Sequence, residues 1–322
     1  MQLQGKSPDT IKSYIGWVAK YIDFIANSNY PTREDRIGAY LTHLIDKFNE
    51  SASTQHQALC AIILFYKIVR KEEVGRLDFK RSSKPLFLPV ILSRKECWST
   101  LDHLSGESWL WDAFMWGCGL RLNELCSLRV MDIDLDRKQI HVHQGKGAKD
   151  RILPLPDLLI EPVGKWLRVL RDKFDANLML PEPVRTWLPG ALAKKYPMAD
   201  LAWGWYWLFP ASGPMQNKSK DTSLHVDVPT IFHVHKSAVQ KRMHRAFNSA
   251  GIVKKATCHT LRHSFATHWL ENAEGSHEIA IIRLQKLMGH ADPETTMIYL
   301  HCVKQRTDVL SPIDVPLMKL AA

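Results

Sequence analysis

Ten residues, Lys80-Arg-Ser-Ser-Lys-Pro85-Leu-Phe-Leu-Pro89, constrain this chain more than any other stretch. They mix prolines with basic charge and follow neither the helical nor the strand period. Proline fixes φ and removes a backbone donor, so neither regular element runs through them. They predict a linker over 83–89, dividing the 322 residues into a first unit, 1–82, and a longer second unit, 90–322.

The first unit reads as helices only. Residues 7–27 predict one helix, with Ser7 as cap, Pro8 at its first position and Ile11, Tyr14, Ile15, Val18, Ile22 and Ile25 at helical spacing. Ile37, Tyr40, Leu41, Leu44, Ile45 and Phe48 form a second stripe. After Ser53-Thr54 a third places Leu59, Ile62, Ile63, Tyr66 and Val69 on its buried side, with Lys67, Arg70 and Lys71 at its end, where cations complement the helix dipole. No chemistry-bearing cluster lies here; in a DNA enzyme such a unit forms one jaw of a clamp.

Beyond the linker, Ser93 with Glu96 three residues on predicts a capped helix. Residues 108–130 read as a helix pair broken at Gly117 and Gly119. Ile133–Val142 and Arg151–Leu155 flank the Gly145–Gly147 turn and predict a small antiparallel sheet with Lys146 at its tip. The fold class is mainly α with that sheet. The segment at about 181–235 stands apart: it holds Trp187, Trp203, Trp205 and Trp207, then Leu208-Phe-Pro210, then a polar stretch at 212–223 expected to be a flexible loop. Clustered tryptophans serve as core anchors or as stacking platforms for unpaired bases, and the sequence leaves both open.

Net charge is +10 and the isoelectric point about 9.3, which favours a polyanionic partner, since each cation set on a phosphate releases condensed counterions. The longest apolar run, Ala61–Tyr66, falls far short of the ~18 residues that cross a bilayer. No basic-then-apolar leader with a small-residue cleavage site opens the chain. A cytoplasmic protein without a membrane partner is expected. The six cysteines form no C-x-x-C pair, which argues against a zinc ribbon or redox dithiol. Cys258 beside His259 and His263 lacks a fourth ligand at finger spacing, so no metal and no cofactor is expected.

The chemistry lies in widely separated boxes. Gly119-Leu-Arg121-Leu-Asn-Glu124-Leu supplies an arginine, and Gln144-Gly-Lys146-Gly-Ala-Lys149-Asp-Arg151 a lysine. His259-Thr-Leu-Arg262-His supplies a second arginine, followed by Gly289-His290 and, nine residues later, Tyr299. Guanidinium forks bind pairs of phosphate oxygens, and a tyrosine can attack phosphorus and conserve the bond energy for religation. Arg121 and Arg262 would stabilise the charge that builds on the phosphate, with Glu124 holding Arg121 in place. Lys146 would protonate the leaving 5′-oxygen, His259 and His290 would bond phosphate oxygens or handle the tyrosine proton, and Tyr299 would be the nucleophile.

In order and spacing these boxes resemble the tyrosine recombinases, over nearly the whole chain. The resemblance implies a helical core-binding domain, a mixed α/β catalytic domain, cleavage through a 3′-phosphotyrosyl intermediate without a metal, and a four-protomer synapse on DNA. It also implies that the tail, 303–322, with Val309, Leu310, Ile313, Val315, Leu317, Met318 and Leu320, docks on a neighbouring protomer. Within that family, Trp187–Pro197, Trp205–Pro210 and His233-Val-His235 ahead of Gln240-Lys241-Arg242 are similar to the insert of integron integrases. That likeness implies capture of gene cassettes, by recombining folded single-stranded cassette sites with a double-stranded platform site. Trp205, His233 and His235 would then touch extrahelical bases.

Three departures accompany it. About five extra residues fall in Glu271–Ala280, a harmless turn or a displacement of His290 and Tyr299. The first helix starts close to the N-terminus, which implies an abbreviated core-binding domain, and Phe232 stands where relatives often carry histidine. The competing expectations are a non-catalytic DNA-binding relative disabled by the 271–280 insertion, and a phage or chromosomal recombinase with another target. A metal-dependent nuclease built on His259, His263 and His290 lacks the clustered carboxylates that paired cations need.

Overall fold

The computed structural model describes residues 8–26, 29–83, 89–143, 150–216, 228–290 and 294–301. Ser7, the Lys146 turn, Cys302 and the 303–322 tail lie outside the described residues. The chain separates into two compact units, Met1–Phe87 and Leu88–Ala322.

The first unit is built from α1 (Pro8–Ala26), α2 (Arg33–Asp46) and α3 (Ala52–Phe65), the last running into a π turn, Tyr66–Arg70. Thr32 and Asp35 form a reciprocal capping box for α2, and Ser51 caps α3, two residues ahead of the expected start. The stripe expected on α1 is turned. Ile15 and Ile22 are exposed, while Tyr21 is buried with Trp17, Phe24 and Ile25 packed around it. The aromatics win the inner face because each buries more apolar area than an isoleucine. The Tyr21 and Tyr66 hydroxyls then share a buried hydrogen bond of 2.9 Å. Phe48 lies beyond the end of α2 and is exposed, as are Ile63 and Val69; Ala58, Ala61 and Ile62 fill the inner face of α3 instead.

The second unit opens with α4 (Arg94–Asp102), where Ser93 and Glu96 form the expected capping box. α5 (Gly106–Gly117) and α6 (Leu122–Ser127) follow, broken at Gly119. Gly119 has φ +66°, and a Cβ there would collide with the Phe265 ring, so only glycine makes this turn. β1 (Ile133–Asp134), β2 (Gln139–Val142) and β3 (Arg151–Pro154) form the antiparallel sheet in the order β1-β2-β3. After α7 (Asp157–Leu178) comes the unusual segment, which contains β4 (Arg185–Thr186), α8 (Gly190–Lys195), β5 (Met215–Gln216) and β6 (Pro229–Ile231). Its strands make a second sheet, β4-β6-β5, with one parallel and one antiparallel pair, that the sequence reading did not anticipate. Strands of two or three residues are too short to show a period.

The tryptophans of this segment differ in depth, and all four pack on the core clusters. Trp207 is core, only 3% exposed, whereas Trp187, Trp203 and Trp205 are half-buried. Arg129 ties this segment down: its guanidinium lies 3.7 Å from the Trp207 ring centroid and donates to the carbonyls of Trp205 and, at 3.1 Å, Trp187. The unit closes with α9 (Lys236–Ser249), α10 (Cys258–Glu271), α11 (His277–Met288) and α12 (Glu294–Met297). α10 packs against α5 and α11, and Phe114, Leu120, Leu125, Phe209 and Leu261 are fully buried in the shared core. No described helix is long and apolar enough to cross a membrane.

Asp112 of α5 is fully buried, and neither carboxylate oxygen has a hydrogen-bond partner among the described residues. Burial lifts its pKa from the ordinary 3.8 to about 8. The folded chain therefore holds a proton that the unfolded chain releases. The associated stability is complete below the unfolded pKa and declines as pH rises through the folded one. Asp112→Asn removes that slope. Its thermal midpoint should exceed that of the unmutated chain by several degrees near pH 8 and by almost nothing near pH 4. Parallel melting curves would show a buried partner for Asp112 and sink the assignment.

Candidate active site

A buried carboxylate organises the site. Glu124, in the first turn of α6, accepts from the Arg121 backbone N–H at 2.8 Å and from Arg121 Nη1 at 2.8 Å. Arg151, the first residue of β3, meets it as a two-pronged fork, with Nη1 and Nη2 each 2.8 Å from one carboxylate oxygen. Arg262 Nη1 lies 3.9 Å from Oε2. Burial alone would raise the Glu124 pKa, but the hydrogen bonds and charges of Arg151 and Arg121 outweigh it and hold the group at about 2. One carboxylate thus offsets three converging guanidiniums.

Arg262 sits on α10, whose N-terminus is fixed by a Thr257–Thr260 capping box. The residue is 3% exposed, and its guanidinium donates to the carbonyls of Gly119 and Met288. Its Nη2 lies 3.3 Å from His290 Nε2. Burial, then the charge of Arg121, lowers its pKa to about 9. Arg121 Nη2 reaches the Gly289 carbonyl at 3.0 Å, so both arginines grip the end of α11.

That end is shaped by Gly289, in the left-handed region at φ +59°. The Gly289 N–H bonds the Lys286 carbonyl and the His290 N–H bonds the Gln285 carbonyl, the paired closure of a Schellman cap. The cap folds the chain back so that the His290 ring lands beside Arg262. A Cβ at 289 would stand 3.1 Å from the Arg151 guanidinium. Since Arg262 donates to His290 Nε2, the proton of a neutral His290 is assigned to Nδ1, which lies 2.8 Å from Thr296 Oγ1. The extra residues at 271–280 fall on the end of α10, the turn to α11 and its first residues, with His290 still against Arg262.

Tyr299 lies on a single 3₁₀ turn, Ile298–His301, and is 3% exposed. Its hydroxyl is 2.7 Å from His263 Nδ1, and its ring stacks on His290 at 6.2 Å. Arg121, Arg262, His290 and Tyr299 are therefore brought together with Glu124, while Lys146 lies outside the described residues. His259 is exposed one turn before His263; surrounding protein, then Arg262 and Arg121, holds its pKa below the usual histidine value. Two members were not expected in these places: Arg151, and His263, which the sequence offered only as a possible metal ligand. Arg151 shares the inward face of β3 with buried Leu153, and an inward-pointing arginine in a two-residue alternation signals a buried acidic partner.

A groove of about 800 Å³ opens beside these groups, lined by Arg121, Lys236, Lys241, His244, Arg245 and His259. Its cations suit a phosphate backbone. The three residues expected to meet bases all lie in the unusual segment. Trp205 is half-buried against Tyr196, ring centroids 5.5 Å apart, and Trp187 stacks with Phe232 at 6.0 Å. His233 stands edge-on to Trp207 with Nδ1 2.7 Å from the Val234 carbonyl, and burial lowers its pKa. His235 caps α9, Nδ1 accepting from the Ser237 N–H at 3.2 Å.

Residues 110–306 match the phage integrase family, and residues 1–76 match the phage integrase N-terminal SAM-like domain. The chain is 34% identical over 313 residues to an integrase/recombinase of Escherichia coli, covering 95% of this chain and 88% of that one. It is 31% identical over 304 residues to the tyrosine recombinase XerA of Thermococcus kodakarensis, covering 93% and 86%. Among solved structures, XerH site-specific recombinase in a post-cleavage complex with palindromic difH substrate aligns with a TM-score of 0.60 at 19% identity, over 92% of this chain and 77% of that one. A lambda integrase dimer bound to a COC′ core site aligns with a TM-score of 0.57 at 15% identity, over 98% and 77%. These two likenesses concern the fold.

Proposed function

We propose that this chain, which belongs to the phage integrase family and is a tyrosine site-specific recombinase, is of the integron-integrase type and integrates and excises gene cassettes. The observation that carries the chemistry is the convergence of Arg121, Arg262, His290 and Tyr299 around Glu124. In this reading Tyr299 attacks the scissile phosphorus and forms a 3′-phosphotyrosyl bond. Arg121 and Arg262 exchange their carbonyl partners for phosphate oxygens, and charge developing there is met by donors already in place. Lys146 protonates the departing 5′-oxygen; His259 and His290 bond the phosphate. No metal or cofactor takes part.

The finer reading is supported by the segment at 181–235, which presents half-buried aromatic faces on a frame anchored by Arg129. Such faces hold unpaired bases regardless of sequence. The substrates are folded single-stranded cassette sites and a double-stranded platform site, joined in a tetramer on DNA in the cytoplasm. Trp205 and His233 contact the extrahelical bases, with His235 at the edge.

The test uses the purified chain, EDTA, and a nicked hairpin of a cassette site that traps the covalent product. A protein–DNA adduct should form on the hairpin and fall sharply when its extrahelical bases are deleted. Equal adduct on the deleted hairpin would sink the cassette reading and leave the recombinase. A requirement for divalent metal would sink the metal-free mechanism.

A further inference from the structure

The contact between Tyr299 and His263 has a direction. His263 follows Arg262 on α10, and one residue is about 100° of helical turn. The guanidinium and the imidazole therefore leave the helix on adjacent bearings, one toward the α11 cap and the other toward the 3₁₀ turn. The rings of His263 and Tyr299 are 5.6 Å apart, and Nδ1 lies 2.7 Å from the phenolic oxygen, inside the reach a proton acceptor needs. Burial, then His259 and Arg262, lowers the His263 pKa to about 4, so at neutral pH the ring is uncharged and has a lone pair to offer. His259, one turn earlier, stands 6.1 Å away by ring centroid and lines the basic groove. The other nearby imidazole, His290, has both nitrogens engaged, with Arg262 and Thr296.

We infer that His263 is a catalytic residue, the proton acceptor for Tyr299, an assignment that rests on reading Tyr299 as the nucleophile. As the phenolic oxygen bonds to phosphorus, its proton passes to His263 Nδ1. The bond from phosphorus to the 5′-oxygen breaks, and the general acid protonates that oxygen. Religation reverses both transfers: the 5′-hydroxyl attacks, its proton returns to the conjugate base of the acid, and Nδ1 returns its proton to the phenol. The groups facing His263 make the step depend on substrate. Without DNA, Arg262 and His259 disfavour the imidazolium. A phosphodiester held by Arg262 offsets that charge and raises the basicity of His263 when the nucleophile is needed.

The test measures the rate of adduct formation on the nicked site for the unmutated chain, His263→Ala, His263→Asn and Tyr299→Phe, with site binding followed in parallel. Both His263 variants should bind normally and cleave roughly 100-fold or more slowly. Their rates should climb with pH across about pH 6 to 9, where the unmutated rate stays flat, because hydroxide replaces the lost base. Fluorotyrosine at position 299, a more acidic phenol, should restore part of the loss in His263→Ala.

Asparagine places a polar atom near the Nδ1 position and keeps the variant folded should alanine fail. If asparagine restores the rate, His263 only positions the ring and the inference falls. If His263→Ala cleaves as fast as the unmutated chain or faster, the contact is a resting latch. Fluorotyrosine without effect would show that proton removal is not the lost step. An adduct from Tyr299→Phe would remove the nucleophile assignment itself; no adduct there, with unimpaired His263 variants, overturns this inference alone.

Discussion

Tyr299→Phe is expected to abolish covalent attachment to a nicked site while leaving site affinity within a few-fold of the unmutated chain. On the proposed mechanism the substitution removes the oxygen that bonds to phosphorus, whereas binding is expected to spread over the cations of the groove. Folding should tolerate it. The phenyl ring keeps its place against His290, and the cost is the unpaired Nδ1 of His263, about 1 to 3 kcal/mol. Denaturing gels read the adduct and gel shifts read the affinity. A phenylalanine variant that still carries DNA through a denaturing gel would show that another residue is the nucleophile.

Glu124→Ala should be the most damaging substitution in the site. It strips the carboxylate from between Arg121, Arg151 and Arg262, and the side chain it removes is only 6% exposed. Removing one partner of a buried ion pair costs roughly 3–5 kcal/mol, because the remaining charge is left uncompensated. Here three like charges would also repel one another. The denaturant midpoint should drop accordingly, and cleavage should fall below detection even where the variant remains folded. The pH dependence has a definite sign. Glu124 has a folded pKa of about 2 against an ordinary 4.5, so its stabilisation is complete above about pH 4.5 and disappears as pH falls toward 2. The gap between the two proteins should narrow over that window. A near-normal midpoint at neutral pH would mean that the arginines find other partners, and the carboxylate would lose its place at the centre of the site.

Much of this site was legible before any fold was known, because its members carry chemistry that few other uses require. Two arginines, two histidines and a tyrosine in a fixed order resemble a phosphoryl-transfer site whatever lies between them. Arg151 and His263 escaped for different reasons. The Arg151 signal was present in the alternation of β3, where an arginine occupies an inward position, but a four-residue strand gives it little statistical weight. His263 adjoins Arg262 in its box, but nothing in that local sequence points to Tyr299. Its partner is 36 residues away on a turn too short to have a period, and only packing of α10 against that turn brings them together. The α1 stripe went astray because counting isoleucines ignores that Trp17, Tyr21 and Phe24 bury larger faces. The tryptophan cluster is held by Arg129, which lies over Trp207 and bonds the Trp187 carbonyl, a long-range pairing that composition does not reveal.

Gly289 sets an uneven tolerance to change across the site. The groove carries Lys236, Lys241 and Arg245 side by side, so if it holds the phosphate backbone the loss of one cation there should dilute affinity without removing it. At 289 nothing is shared. One backbone conformation, at φ +59°, delivers its own carbonyl to Arg121, the Met288 carbonyl to Arg262 and the His290 ring to the same guanidinium, and Arg151 crowds the place a Cβ would take. Variation in the groove would change affinity by degrees; variation at this glycine has no such gradual route. Directed evolution of new target preference should therefore accumulate changes along α9 and return Gly289 unchanged from every round.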